Sequence, residues 1–127
     1  MHPIAAAAAL VAALIHVSFF VMESVWFMRP TIYRRFGLSS DADARTAQGF
    51  AYNQGFYNLF LAIGVAIGLA LVVSGRSDAG DTLVLFACGS MVAAGLVLVL
   101  HDPRFLRAGA LQVLPPLVAI LGIVALN

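Results

Sequence analysis

The sequence predicts an all-α integral membrane protein, a four-helix transmembrane bundle with N-out/C-out topology, and three observations carry that reading. Apolar residues make up 62% of the chain and charged ones only 10%, a mix far from that of a soluble globular domain. Four stretches are long and apolar enough for spans, given that a helix needs about 20 residues to cross a hydrocarbon core about 30 Å thick. The arginines gather in alternate connections. The 127 residues allow one domain, so residues 1–127 are read as a single transmembrane domain.

The first span is expected over residues 4–28. It begins almost at Met1, where a secretory leader would begin. Met1-His2-Pro3 carries no basic residue, however, and the alanines Ala5 to Ala9 come before the apolar run instead of after it. A signal peptide has the opposite order, so this segment is expected to be retained as a membrane helix. Pro30 disfavours a helical Arg29 and should end the span. In the connection that follows, Ile32, Tyr33, Phe36 and Leu38 stand beside Arg34 and Arg35, a pattern suited to the headgroup level. Ser40-Asp41-Ala42-Asp43 then reads as a helix N-cap with acids in its first turn. The second helix should therefore start several turns before its span, residues 50–74, enters lipid. The third and fourth spans, residues 82–100 and 108–126, contain no charge.

Arginine placement sets the expected orientation, because cytoplasmic loops keep the positive charge. Arg29, Arg34, Arg35 and Arg45 lie in the first connection, Arg104 and Arg107 in the third, and only Arg76 on the other side. The first and third connections are thus expected in the cytoplasm, and the chain in a cell inner (plasma) membrane. Seven arginines, no lysine and six acids give no reason to expect nucleic acid as a partner. The lone Cys88 cannot form an internal disulfide and reads as a small buried apolar residue.

The spans hold polar residues that cost energy in lipid, about 2.5 to 3.5 kcal/mol for an acid at a helix centre on insertion scales. Glu23 is the only glutamate. His16 precedes it by seven residues, which on an α-helix sets the two within about 20° of each other, flanked by Phe19, Phe20, Trp26 and Phe27. The second span opens on Tyr52-Asn53-Gln54-Gly55-Phe56-Tyr57-Asn58, where Asn53 with Tyr57 and Gln54 with Asn58 are i,i+4 neighbours on common sides. Gln112 in the fourth span lies one turn before Pro115-Pro116, which can bend a helix and open space. At about 1.5 Å per residue, Glu23, Tyr57, Asn58 and Gln112 fall at one level, roughly 5 to 10 Å to the cytoplasmic side of the midplane, with His16 near the midplane itself. A polar layer on the first, second and fourth spans is expected, with the third as wall. Gly64 and Gly68 form a small-xxx-small pair suited to close helix contact.

His16-x-x-Phe19, Glu23 and Trp26, the block Asn53-Gln54-Gly55-x-Tyr57-Asn58-x-x-Leu61-Ala62-x-Gly64, and Gln112 followed by proline resemble the small bacterial membrane proteins grouped as domain of unknown function family 1304. The resemblance implies a four-span fold and treats these polar positions as one set. It implies no reaction.

Three kinds of function remain in contention. The first is a membrane-embedded enzyme or binding protein for a small lipophilic molecule. Here Glu23, His16 and Tyr57 would carry proton transfer, as in an isomerisation, and Asn53, Gln54, Asn58, Gln112, Trp26 and Phe20 would line the substrate site. The second is a dimeric proton-coupled transporter or exporter built around one glutamate in a chain too short to line its own pathway. The third is an accessory subunit of a larger membrane complex. Polar residues can also simply hold helices together, at about 0.6 kcal/mol each. No nucleotide loop, nucleophile elbow or zinc-spaced motif is present, and His16 and the distant His101 make a poor ligand pair for metal or haem. No cofactor is therefore expected. The expected partners are the lipid bilayer, a small lipophilic molecule and, through small-residue helix faces, further copies of the chain.

Overall fold

The computed structural model describes residues 1–126, and among these every regular element is helical. Helix α1 spans Pro3–Phe20 and passes into a π-helical turn over Val21–Val25. A short α2, Pro30–Tyr33, continues as a 3₁₀ turn, Arg34–Phe36. The long α3 covers Asp41–Val73, α4 covers Ser77–His101, and α5 covers Leu106–Leu126 after a 3₁₀ turn at Pro103–Phe105. Four helical segments, Pro3–Val25, Asp41–Val73, Ser77–His101 and Pro103–Leu126, are long and apolar enough to cross a membrane.

Helix ends follow local chemistry. Ser40 Oγ accepts from the Asp43 amide at 3.1 Å, which satisfies one of the orphan donors at the start of α3. At about 1.5 Å per residue, the 33 residues of α3 reach roughly 50 Å, well beyond the hydrocarbon thickness. It is thus longer than a span requires, and the charged residues Asp41, Asp43 and Arg45 all fall in its first turns. Gly75 ends α3 with φ +85°, a left-handed conformation that only glycine adopts without penalty. The Arg76 amide then bonds back to Leu71 O at 2.9 Å. Asp102 caps the turn before α5, accepting from the Arg104 amide at 3.0 Å and pairing with its guanidinium at 2.7 Å. These bonds hold the Asp102 carboxyl below its usual range. Helix α5 runs through Pro115 and Pro116 without interruption, and Pro116 is buried.

The chain forms two compact units, one made of Met1–Ile15 with the chain from Leu61 onward, the other of His16–Phe60. The first is a four-helix bundle, since its core draws on α1 (Ala5, Ala9, Ala12, Ala13), α3 (Ala62, Val65), α4 (Val84, Ala87, Cys88, Met91) and α5 (Ala119, Ile123). Small residues dominate because lipid is as apolar as leucine, so helices associate by close packing and not by escape from water. Gly68 and Gly80 bring α3 and α4 within backbone contact: a Cβ on Gly80 would lie 2.6 Å from Gly68 O. Gly122 likewise admits Ala5, whose Cβ would stand 2.8 Å from a Cβ placed there. Cys88 is fully buried and packs as a small apolar residue.

The second unit has its own small core of Phe27, Tyr33 and Ala44, with Met28, Phe36, Leu38, Ala47 and Ala51 packed around it. Tyr33 donates its hydroxyl to Asp41 Oδ1 at 2.9 Å, a bond that raises the phenol above its usual pKa. Phe27 and Phe36 pack at 5.7 Å between ring centroids. The connection after the first span is thus folded onto the start of α3. Arg29 is extended (φ −72°, ψ 128°), as the residue before a proline tends to be. Pro30 then occupies the first turn of α2, where its missing N–H costs nothing.

Candidate functional site

Within the second unit, the π turn is what aims Glu23. The Trp26 amide bonds to Val21 O, five residues back, at 2.9 Å, so this turn is wider than an α turn. Such turns are rare and gather at functional sites. The extra width shifts Glu23 from the seven-residue phase on which a regular α-helix would set it with His16. It also carries two side chains to α3. Ser24 Oγ donates to Tyr52 O at 2.8 Å, and Asn58 Nδ2 donates to Glu23 Oε2 at 2.7 Å.

Asn58 is 4% exposed, and its nitrogen also faces Gln54 O at 3.3 Å. Two acceptors on one atom fix the amide's orientation, because only the NH₂ end can serve both. Gly55 permits the close approach. A side chain there would run into Ser24 Oγ, and its Cβ would lie 3.1 Å from both Glu23 Cβ and Ser24 Cβ. The same two helical segments also meet through aromatic rings, with Phe20 edge-on to Phe56 at 5.1 Å and Tyr52 against Phe56 at 5.0 Å.

The other expected residues have different surroundings. His16 is fully buried, its ring edge-on to Phe19 at 5.5 Å. Trp26 is 40% exposed and carries the Arg29 guanidinium over its ring at 4.5 Å. Tyr57 is 58% exposed and meets Phe60 at 6.5 Å. Asn53 and Gln54 are also exposed, and Gln54 enters the Glu23 contact through its backbone carbonyl alone. Gln112 belongs to the first unit, where it lies on α5 against Gly95 of α4. The structure therefore joins Glu23 to Asn58 and Phe20 to Phe56, and leaves Asn53, Gln54 and Tyr57 facing outward. Ser24, Gly55 and Phe56 belong to the contact although sequence reasoning gave them no role. A serine beside the sole acid and a glycine inside the amide block were the available signals. Among the described residues, no group of three His, Cys, Asp or Glu is placed to hold a metal ion.

Chemically, the arrangement presents a partly buried carboxyl with one oxygen engaged by a neutral amide. It can bind a polar group or move a proton. No curated protein and no solved structure matches the chain. The family described as Protein of unknown function (DUF1304) matches residues 10–124 of the 127, a stretch that contains the π turn, Glu23 and Asn58 and most of each of the four apolar helices, and the chain belongs to that family.

Proposed function

We propose that this protein binds, and by proton transfer at Glu23 transforms, a small lipophilic molecule within the membrane. The observation that carries the reading is the Glu23–Asn58 bond at 2.7 Å on a π turn: an acid in an apolar span is costly and needs a partner or a purpose, and packing alone does not require one. Phe20 and Phe56 give the apolar body of the ligand a surface, and Glu23 takes its polar group. His16 is fully buried seven residues earlier, and Trp26 is 40% exposed three residues later. An isomerisation run on proton transfer fits this set, since it needs no nucleotide or metal. We set the connection before α3 on the cytoplasmic side of the plasma membrane, and the gathering of arginines there supports it. The test is to extract protein purified in native lipid discs and identify the retained lipophiles by mass spectrometry. Wild type should hold a species that Glu23→Gln loses while remaining folded; identical extracts from both would sink the reading.

A second reading is favoured by the outward-facing Asn53, Gln54 and Tyr57. Amides and hydroxyls facing lipid lose hydrogen bonds that a second copy of the same helix face can return. We propose a homodimer through this face of α3, the form in which so short a chain could also serve as a proton-coupled transporter. In a Cys88→Ala background, Asn53→Cys should cross-link to a dimer when membranes are oxidised. A monomer alone excludes this interface, and a cross-link to a different protein identifies the chain as an accessory subunit.

A further inference from the structure

We infer that the ligand of the Glu23 site is a lipophilic cation, such as an amine or other onium group, whose positive charge the carboxyl receives. The inference rests on the reading of Glu23 and Asn58 as a binding site, and it names the chemical class of what binds there.

Charge is the first line of argument. A carboxyl in an apolar span is tolerated when a cation or a set of hydrogen bonds accompanies it. Glu23 has one hydrogen-bond partner among the described residues, the neutral amide of Asn58, and no base is paired with it. The nearest arginine along the chain, Arg29, lies beyond the end of the span with its guanidinium over the Trp26 ring at 4.5 Å. The remaining arginines lie further on, from Arg34. The protein thus provides an acid and directs the nearest arginine along the chain elsewhere.

Hydrogen-bond polarity is the second. Asn58 Nδ2 donates to both Glu23 Oε2 and Gln54 O, so the carboxyl is the acceptor in this bond, and its other oxygen, Oε1, takes no part in it. An onium group suits that oxygen because it brings donors or positive charge and needs no acceptor in return. The aromatic group is the third. Phe20, Tyr52 and Phe60 all pack on Phe56, edge-on or tilted, at 5.0 to 6.1 Å between ring centroids, which gathers several π systems on the two helical segments that carry Glu23 and Asn58. Ring faces attract cations, and more strongly where water is excluded.

Trp26, the chain's only tryptophan, lies three residues from Glu23 and reports the test. Titrate the full chain in lipid discs with tetraphenylphosphonium and, separately, with the uncharged triphenylmethanol, following Trp26 fluorescence against protein-free discs. The expected result is saturable phosphonium binding at least tenfold tighter than that of the alcohol, and weakened at least tenfold in Glu23→Gln. If the alcohol binds as tightly and with the same dependence on Glu23, the site stands and the cation is wrong. If neither probe shows Glu23-dependent saturation, the cation is also wrong, and the extraction experiment alone then decides the binding reading. Should Glu23→Gln fail to assemble, Phe20→Leu replaces it. That change should weaken the phosphonium severalfold and leave the alcohol unchanged, and equal effects on both overturn the inference.

Discussion

Gly80→Ala should lower the melting temperature of the detergent-solubilised protein, with a loss of about 1 to 3 kcal/mol typical of overpacking. The added Cβ would lie 2.6 Å from Gly68 O, 2.6 Å from Val72 Cγ2 and 2.9 Å from Val72 N. Two of these three atoms are backbone, which cannot rotate away, so α3 and α4 must separate. Separation is expensive because the same helices share the core around Val65, Val84, Ala87 and Cys88, and packing is the main force holding apolar helices together in lipid. Gly89→Ala supplies the control on the same helix. A Cβ there meets nothing within 4 Å, and alanine's better helix propensity, worth up to about 1 kcal/mol, should leave stability unchanged or raised. Should Gly80→Ala melt with wild type, the backbone contact between α3 and α4 does not exist in the protein.

The contrast between these two glycines also shows what the sequence could and could not reveal. Four spans were readable because hydrocarbon thickness fixes their length, and the start of α3 because Ser40 caps it. Which face of each helix packs inward was much less readable. In a soluble protein the apolar stripe marks the buried face; here almost every side is apolar and only the small residues mark it. The i,i+4 rule correctly grouped Asn53 with Tyr57 but could not say that this side faces outward. Gln54 and Asn58 share a side as well, yet only Asn58 reaches Glu23 with its side chain. The π turn was invisible to any argument from a 3.6-residue period, because one wide turn shifts the phase of everything after it. For that reason Ser24 and Gly55 had no assigned part.

The Glu23–Asn58 bond should separate into a structural share and a functional share in a double-mutant cycle. Asn58→Leu removes the donor on Glu23 Oε2 and leaves a carboxyl oxygen in an apolar span unsatisfied, at a cost of about 1 to 3 kcal/mol. Glu23→Leu strands the Asn58 amide instead, with Gln54 O at 3.3 Å as its remaining acceptor. The second loss should be the smaller. With both positions leucine, no polar group is left wanting, and replacing a buried polar pair by apolar groups of similar shape is close to neutral. The double variant should therefore be more stable than Asn58→Leu alone, with a coupling of about 0.5 to 3 kcal/mol measurable by thermal unfolding in the same detergent. Ligand retention should behave in the opposite way and be lost in all three variants, because none keeps a carboxyl held by an amide donor. An apolar pair that restores stability and abolishes binding means that the acid is kept for what it binds, not for how it packs. A double variant that restores both would mean that Glu23 only holds helices together.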